Sequence, residues 1–456
     1  MVQDKMPVSV PELKRVLKLP TVAFIAIGFM IGGGVFVFTG IVFKITGPAL
    51  PAAYALAVIP VFISMMPLAM LGAAIPTTGA SYRYPSRMVS PGLAFVGIWV
   101  YAWASFFGQI PLYALGCAEY ARTFLPSISP TFLAIGLVTV FYVVNLLGVR
   151  LAAQLQGLLV LILIAALVYY AWSGLARLNP SNFSSRMPNG MSGLALGTAL
   201  LTFTYLGANG IIELGDEIVN PGKVIPRSFI IAFATVLFIY VAVAAATVGA
   251  VPPDLIKNTE EPLIQVCRQV TGPVGMLFFT LGGAILALTT TLNALFIIGT
   301  KSLLMMAQDR LLPAKLGLLH QRFGTPHVLL TIVWGLSVLG ILCGFSLKTL
   351  AAYAALGGMI IFFPVMVASV RLPALYPDQY AKSGFKLKGF WLWFCPLVGM
   401  LLMIFFGIVI LSDLKSAWKI AWFTAFIASG IIYYQWRKRY LAGKGIRIDE
   451  LVRGRL

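Results

Sequence analysis

Three consecutive glycines, Gly32, Gly33 and Gly34, interrupt an apolar stretch that reads FMIGGGVFVF from residue 29. Each costs a helix roughly 1 kcal/mol relative to alanine. Backbone released from a helix has unpaired N–H and carbonyl groups, and these can hold small charged groups. The glycines lead into a further apolar run, so its helix start would turn N–H donors and a positive dipole end toward an anion such as a carboxylate. A second apolar stretch, FTYLGANGIIELGDEI from residue 203, carries Gly207, Asn209 and Gly210 and then the carboxylate of Glu213. An intramembrane carboxylate is expensive and marks function by default. Glu213 would contact a cationic substrate, carry a proton, or pair with a Lys or Arg at a closed gate. Gln109 is one polar group in a long apolar run; it faces a cavity or hydrogen-bonds between helices. Packing competes with binding here too, since Gly28 and Gly32 have the four-residue spacing that lets membrane helices approach closely. Covalent chemistry has no support. The sequence has no catalytic triad, phosphate loop or dinucleotide fingerprint, and His320 and His327 share one polar loop. Cys117, Cys267, Cys343 and Cys395 are far apart, which suits small buried side chains rather than a metal site or a disulfide framework. No catalytic residue, metal site or organic cofactor is expected.

The elements that position these residues follow from composition. Of 456 residues, 60% are hydrophobic and 10% charged, against about 25% charged in soluble domains. This is an all-α membrane protein. Runs free of Asp, Glu, Lys and Arg, of about the 20 residues a span needs, predict twelve transmembrane helices. They lie at about 19–43, 49–75, 91–118, 129–149, 152–176, 193–212, 228–250, 271–300, 328–347, 349–370, 389–412 and 420–436. The sixth continues to about 219. The two glycine-rich interruptions fall in the first and sixth runs, five helices apart, and that pairing points to an inverted-repeat transporter. The expected organisation is an N-terminal segment 1–18, a transport core 19–370 with repeats at about 19–176 and 193–370, two further helices in 371–436, and a basic tail 437–456. Twelve spans put both termini on one side. That side collects 24 of the 33 Lys and Arg residues, so it should be the cytoplasm, and the net charge of +19 is topological. Dispersed charges in short loops argue against nucleic-acid binding. The basic tail should be solvated, or else touch anionic lipid. The first residues lack a signal-peptide pattern, and 251–270 reads as an outer loop with a short helix.

Four stretches, GFMIGGGVF, IPTTGASYRYPSR, FTYLGANGIIELGDEIVNPGKVIP and LTTTLNALFIIGTKSLLMMAQDRLLP, resemble the amino acid–polyamine–organocation superfamily. The likeness covers most of residues 15–375. It implies a five-plus-five inverted repeat with discontinuous helices 1 and 6, plus two peripheral helices that read as generic. It implies a permease of the cell membrane that moves an amino acid, or a polyamine or organic amine, by alternating access; a channel or receptor scaffold is the distant alternative. By the same resemblance, the N–H groups of Gly33 and Gly34 beside Gly32 would hold a substrate carboxylate. The carbonyls of Met30, Phe203 and Leu206 would accept an α-ammonium near Gly207, and the Phe203 ring would gate the site. Asn209 stands where many relatives carry Glu. Asp216–Glu217 matches an acidic pair expected in ion pairs with Lys223, Arg227 or Arg87.

Coupling has two readings. Many relatives carry a lysine in helix 5 where this chain has Leu163, so that route to proton coupling is in doubt. Thr289 and Thr290, with the carbonyls of Gly28, Ile31 and Leu286, match the Na⁺ ligands of sodium-coupled relatives; threonine hydroxyls in membrane helices also bond their own backbone. The coupling ion is thus Na⁺ or H⁺, or the protein exchanges substrates. The partners are a small-molecule substrate and the lipid bilayer. Some relatives need an accessory subunit linked through a cysteine between helices 3 and 4; ARTFLPSISP has none, so no disulfide-linked subunit is expected.

Overall fold

A computed structural model describes residues 15–122, 125–184, 187–257, 262–413 and 417–453. The 1–14 part of the N-terminal segment, residues 123–124 of the connection between helices 3 and 4, Arg186, Glu260, Glu261, Lys415 and the last three residues of the tail lie outside these. In chain order the helices are α1 (Leu19–Met30), α2 (Gly34–Thr46), α3 (Leu50–Ala74), α4 (Ala80–Met88), α5 (Pro91–Trp103), α6 (Ile110–Ala121), α7 (Pro130–Leu146), α8 (Val149–Leu175), α9 (Gly190–Thr202) and α10 (Pro221–Ala250). Then come α11 (Pro253–Lys257), α12 (Pro262–Val270), α13 (Pro273–Phe279), α14 (Leu286–Gln308), α15 (His327–Leu342), α16 (Leu347–Leu375), α17 (Pro377–Lys382), α18 (Phe390–Asp413), α19 (Ala417–Ala442) and α20 (Ile448–Arg453). No strand occurs among the described residues; two isolated bridges pair Leu17 with Ile218 and Thr78 with Leu214. Among the described residues eight helical segments are long and apolar enough to cross a membrane, and Pro130–Leu146, His327–Leu342 and Phe390–Phe405 are shorter apolar helices.

Both expected interruptions are present. Helix α1 ends where Ile31 leaves helical geometry at ψ 71°. The Gly32 N–H turns back to the Met30 carbonyl at 2.9 Å, and the chain coils again from Gly34. After α9, Phe203–Tyr205 form one tight turn, Leu206 is extended and Gly207 adopts φ +125°. Short turns over Ala208–Glu213 and Gly215–Glu217 complete this arm. Two further irregularities went unseen in the sequence. Wide π turns at Ala104–Gln109 and Thr280–Ile285 join α5 to α6 and α13 to α14; such turns favour functional places.

Several boundaries move for electrostatic reasons. Helix α10 starts at Pro221 rather than 228, because Lys223 and Arg227 are exposed on its first turns. Helix α14 runs past 300 because buried Lys301 is neutralised by Glu217. The 251–270 segment holds two short helices, not one. The tail is not simply solvated: Ile448 and Val452 of α20 are buried, and α20 packs on α4 and α5. Cys117, Cys267 and Cys395 are buried as expected, whereas Cys343 is exposed. At the centre α10 packs against α1, α3 and α8. The fully buried rings of Tyr54, Tyr205 and Tyr240 meet there with centroids 5.2 Å apart from Tyr240 to each of the other two.

Candidate substrate cavity

The two breaks face one cavity of about 100 Å³. A single water needs roughly 10–15 Å³ by the same measure, so the space suits a small molecule. Met30, Gly32, Gly34, Gln109, Phe203, Leu206, Gly207 and Asn209 line it; Gly33 and Glu213 do not. Residues not anticipated complete the wall: Tyr101 and Tyr113 around the π turn, Thr204, Met359 and Phe362 from α16, and Met403 from α18. The eleventh run, read as generic, therefore contributes to the site. Nothing in an apolar helix marks which methionine faces a cavity. No lining residue carries a charge.

The glycines serve both readings left open by the sequence. A methyl group at Gly33 would sit 2.6 Å from Leu288 Cδ2, and one at Gly32 would sit 2.7 Å from Thr291 Oγ1. Both positions therefore let α14 come close. No side chain caps α2, and among the described residues the Gly33 N–H has no backbone acceptor. The start of α2 thus keeps open donors beside the cavity. The carbonyls are more committed. Met30 O accepts from Gly32 N–H and from Tyr240 Oη at 3.1 Å, and Phe203 O accepts from Leu206 N–H at 3.2 Å. Tyr240 Oη also lies 3.3 Å from Thr204 O, so one buried hydroxyl spans both interruptions. The Phe203 ring packs on Phe38 of α2 at 5.8 Å, and Gln109 Nε2 approaches Tyr113 Oη at 3.4 Å.

Toward α4 the acidic residues find specific partners. Glu213 Oε1 accepts the Ser81 N–H at 2.8 Å and Oε2 accepts the Ser302 hydroxyl at 2.7 Å. Asp216 Oδ2 accepts Thr78 N–H at 2.8 Å and lies 3.9 Å from Arg83 Nη1. Glu217 pairs with Lys301 at 2.5 Å, both buried. The expected partners Lys223 and Arg227 point to solvent, and Arg87 is held by Asp309 at 2.6 and 2.9 Å. The buried Tyr82 hydroxyl donates to the same Asp309 at 2.8 Å.

In this conformation the threonine hydroxyls considered for sodium donate to backbone carbonyls. Thr289 and Thr290 donate to Leu286 O and Ala287 O of their own helix at 3.2 and 3.1 Å, and Thr291 donates to Gly28 O at 3.3 Å. A methyl at Gly28 would run into Gln156 Nε2, and into Val160 Cγ2 at 2.5 Å. The Gln156 amide nitrogen is a buried donor without a partner. Leu163, at the position where relatives carry lysine, is fully buried.

Comparison with known proteins accords with this geometry. A family model described as amino acid permease matches residues 21–451. The methylthioribose transporter of Bacillus subtilis is 26% identical over 443 residues, 93% of each chain. The branched-chain amino acid permease of the same organism is 24% identical over 451 residues, again 93% of each. A vacuolar cationic amino acid transporter of Arabidopsis thaliana is 24% identical over 404 residues, 81% of this chain and 61% of its own.

Proposed function

The chain belongs to the amino acid permease family, whose members are membrane transporters and not enzymes, and on that premise we propose that it is a secondary transporter of a neutral amino acid working by alternating access. The carrying observation is a cavity between two helix breaks that offers open N–H donors at the start of α2 and no charged side chain. A zwitterion entering low dielectric needs both ends met. The Gly33 and Gly34 amides take the carboxylate, and the Leu206 carbonyl, with lone pairs left on Phe203 O, takes the ammonium. The side chain lies among Tyr101, Met359, Phe362 and Met403. A cationic side chain would lack a counter-charge there, since Asn209 is neutral.

The reading includes a twelve-span, five-plus-five inverted repeat. Its support is that irregularities recur five spans apart. Breaks occur in the first and sixth segments, π turns in the third and eighth, and short helices follow the second (α4) and the seventh (α11 and α12). Helices α18 and α19 are peripheral to this scheme. The basic-residue bias assigns α4 and both termini to the cytoplasmic side of the cell membrane. Purified protein should be stabilised thermally by free neutral amino acids, and proteoliposomes should show saturable counterflow of the same compounds. Amino-acid amides should fail to compete. Stabilisation by amines or amides alone, with none by free neutral amino acids, would overturn the carboxylate assignment.

A further inference from the structure

Among the described residues three carboxylates are buried: Glu213, Glu217 and Asp309. Glu217 has Lys301 and Asp309 has Arg87. Glu213 is the one with no Lys or Arg within salt-bridge distance; its two oxygens rest on the Ser81 N–H of α4 and the Ser302 hydroxyl of α14. A buried charge held only by neutral donors is poised between ionised and protonated forms. The donors here serve both forms. The Ser81 N–H can donate to either. The Ser302 hydroxyl can rotate, since it has lone pairs as well as a proton, so a protonated Oε2 would donate to Ser302 Oγ in the same place.

Glu213 also faces space. It lines a chamber of about 10 Å³ with Ser81, Ser302 and Gly299, room for about one water. Tyr101, Asn209 and Ile361 line both this chamber and the larger cavity. These three shared residues form the partition between the two spaces. The other charged and titratable groups around it are engaged: Lys301 of α14 with Glu217, Arg83 of α4 with Asp216, and Arg87 and Tyr82 of α4 with Asp309. Tyr84 of α4 donates to Ile75 O at 2.8 Å, and Tyr101 stands in the partition.

We infer that Glu213 is the proton-binding site through which transport is coupled to a proton gradient, and that its ionised form latches the inner arm of the sixth segment to α4 and α14. This rests on the transport reading above and adds the coupling ion. In the ionised state the hydrogen bonds from Ser81 and Ser302 are charge-assisted, roughly twice as strong as neutral ones, and the α4 side stays shut. A proton passes from water in the substrate cavity, along the Asn209–Tyr101 partition, to Oε2. One O–H bond forms and hydronium becomes water. The neutral acid holds α4 and α14 more weakly, the arm swings, and the proton leaves to water on the α4 side. Charge and atoms balance without any other reactant.

The test has two readouts. Infrared difference titration of the whole protein in liposomes, between about pH 8 and pH 5, should show a buried protonated-carboxyl C=O band. The band should disappear in Glu213→Gln and shift its midpoint in Ser302→Ala. In proteoliposomes, radiolabelled L-leucine and L-methionine are followed both as counterflow without a gradient and as accumulation driven by an acid exterior. The ratio of driven to counterflow uptake should fall at least tenfold in Glu213→Gln. Wild-type counterflow with no response to the pH gradient overturns the coupling, and an infrared band unchanged in Glu213→Gln overturns the site. Absence of counterflow with both amino acids counts instead against the transport reading for those substrates, and the infrared titration still decides the proton site. If Glu213→Gln does not fold, Glu213→Asp should move the band and the driven ratio together; a band and ratio identical to wild type overturn the inference.

Discussion

Tyr240→Phe separates a structural role from a binding role at the two breaks. The hydroxyl is fully buried and reaches Met30 O at 3.1 Å and Thr204 O at 3.3 Å. Phenylalanine keeps the ring against Tyr54 and Tyr205, so the change removes only the donor. A net hydrogen bond contributes about 0.5–1.5 kcal/mol. Met30 O keeps the Gly32 N–H at 2.9 Å, so its loss sits at the low end, and the longer Thr204 contact is weak too. The one hydroxyl proton is shared between the two carbonyls, so the loss is about 0.5–1.5 kcal/mol. If that hydroxyl sets the distance between the breaks, the loss appears in ligand affinity as roughly a 2- to 13-fold rise in Kd. The assay is calorimetric titration of purified protein with the neutral amino acid giving the largest thermal shift. Tyr54→Phe is the control, because its hydroxyl bonds Thr39 Oγ1 at 2.8 Å, away from the ligand. Affinity within twofold of wild type in Tyr240→Phe, or equal weakening in both variants, would refute the reasoning.

Further perturbations follow from the same geometry. Gly207→Ala forces φ +125° on a residue with a Cβ placed 2.7 Å from Phe29 O; strain and overpacking of about 2–5 kcal/mol should lower the melting temperature sharply. Gly136→Ala in α7, where nothing lies within 4 Å, should leave that temperature unchanged or higher. Lys301→Ala leaves Glu217 buried and unpaired, at a cost of about 3–5 kcal/mol; Lys301→Met with Glu217→Gln should recover most of it in thermal unfolding, and a double variant no better than the single would contradict the pairing. Asn209→Asp puts a carboxylate at the cavity wall, so lysine should begin to inhibit counterflow at least tenfold more strongly. Continued exclusion of lysine would show that Asn209 does not meet the substrate side chain.

The breaks were legible because glycine announces itself in an apolar run: Gly32–Gly34 and Gly207–Gly210 both lie at interruptions. What lay across from them was not. Leu288 and Thr291 pack against Gly33 and Gly32 from more than 250 residues away, and no local pattern predicts that pairing. Glu213 was visible as an oddity, yet its partners Ser81 and Ser302 are ordinary serines brought in by the fold. The start of α10 and the end of α14 were misplaced because a charge-free run marks where a helix meets lipid, not where it ends; Lys301 is inside a helix once Glu217 neutralises it. The π turns left no mark, since they change the winding and not the residue types. Met403 could not be told from its lipid-facing neighbours.

Glu217 has a double attachment with a mechanical result. Its main-chain oxygen receives the N–H groups of Val16 and Leu17 at 2.9 Å, and Val219 N–H returns to Leu17 O at 2.9 Å, while its side chain grips Lys301. The polypeptide just ahead of the first segment is thereby stitched to the sixth. The pair must travel as a single shutter, and the Glu213 latch can let go of α4 and α14 without unpicking the seam. A bulky fusion ahead of Leu17 is accordingly a weight hung on that shutter, and it should slow turnover while leaving ligand affinity unaltered.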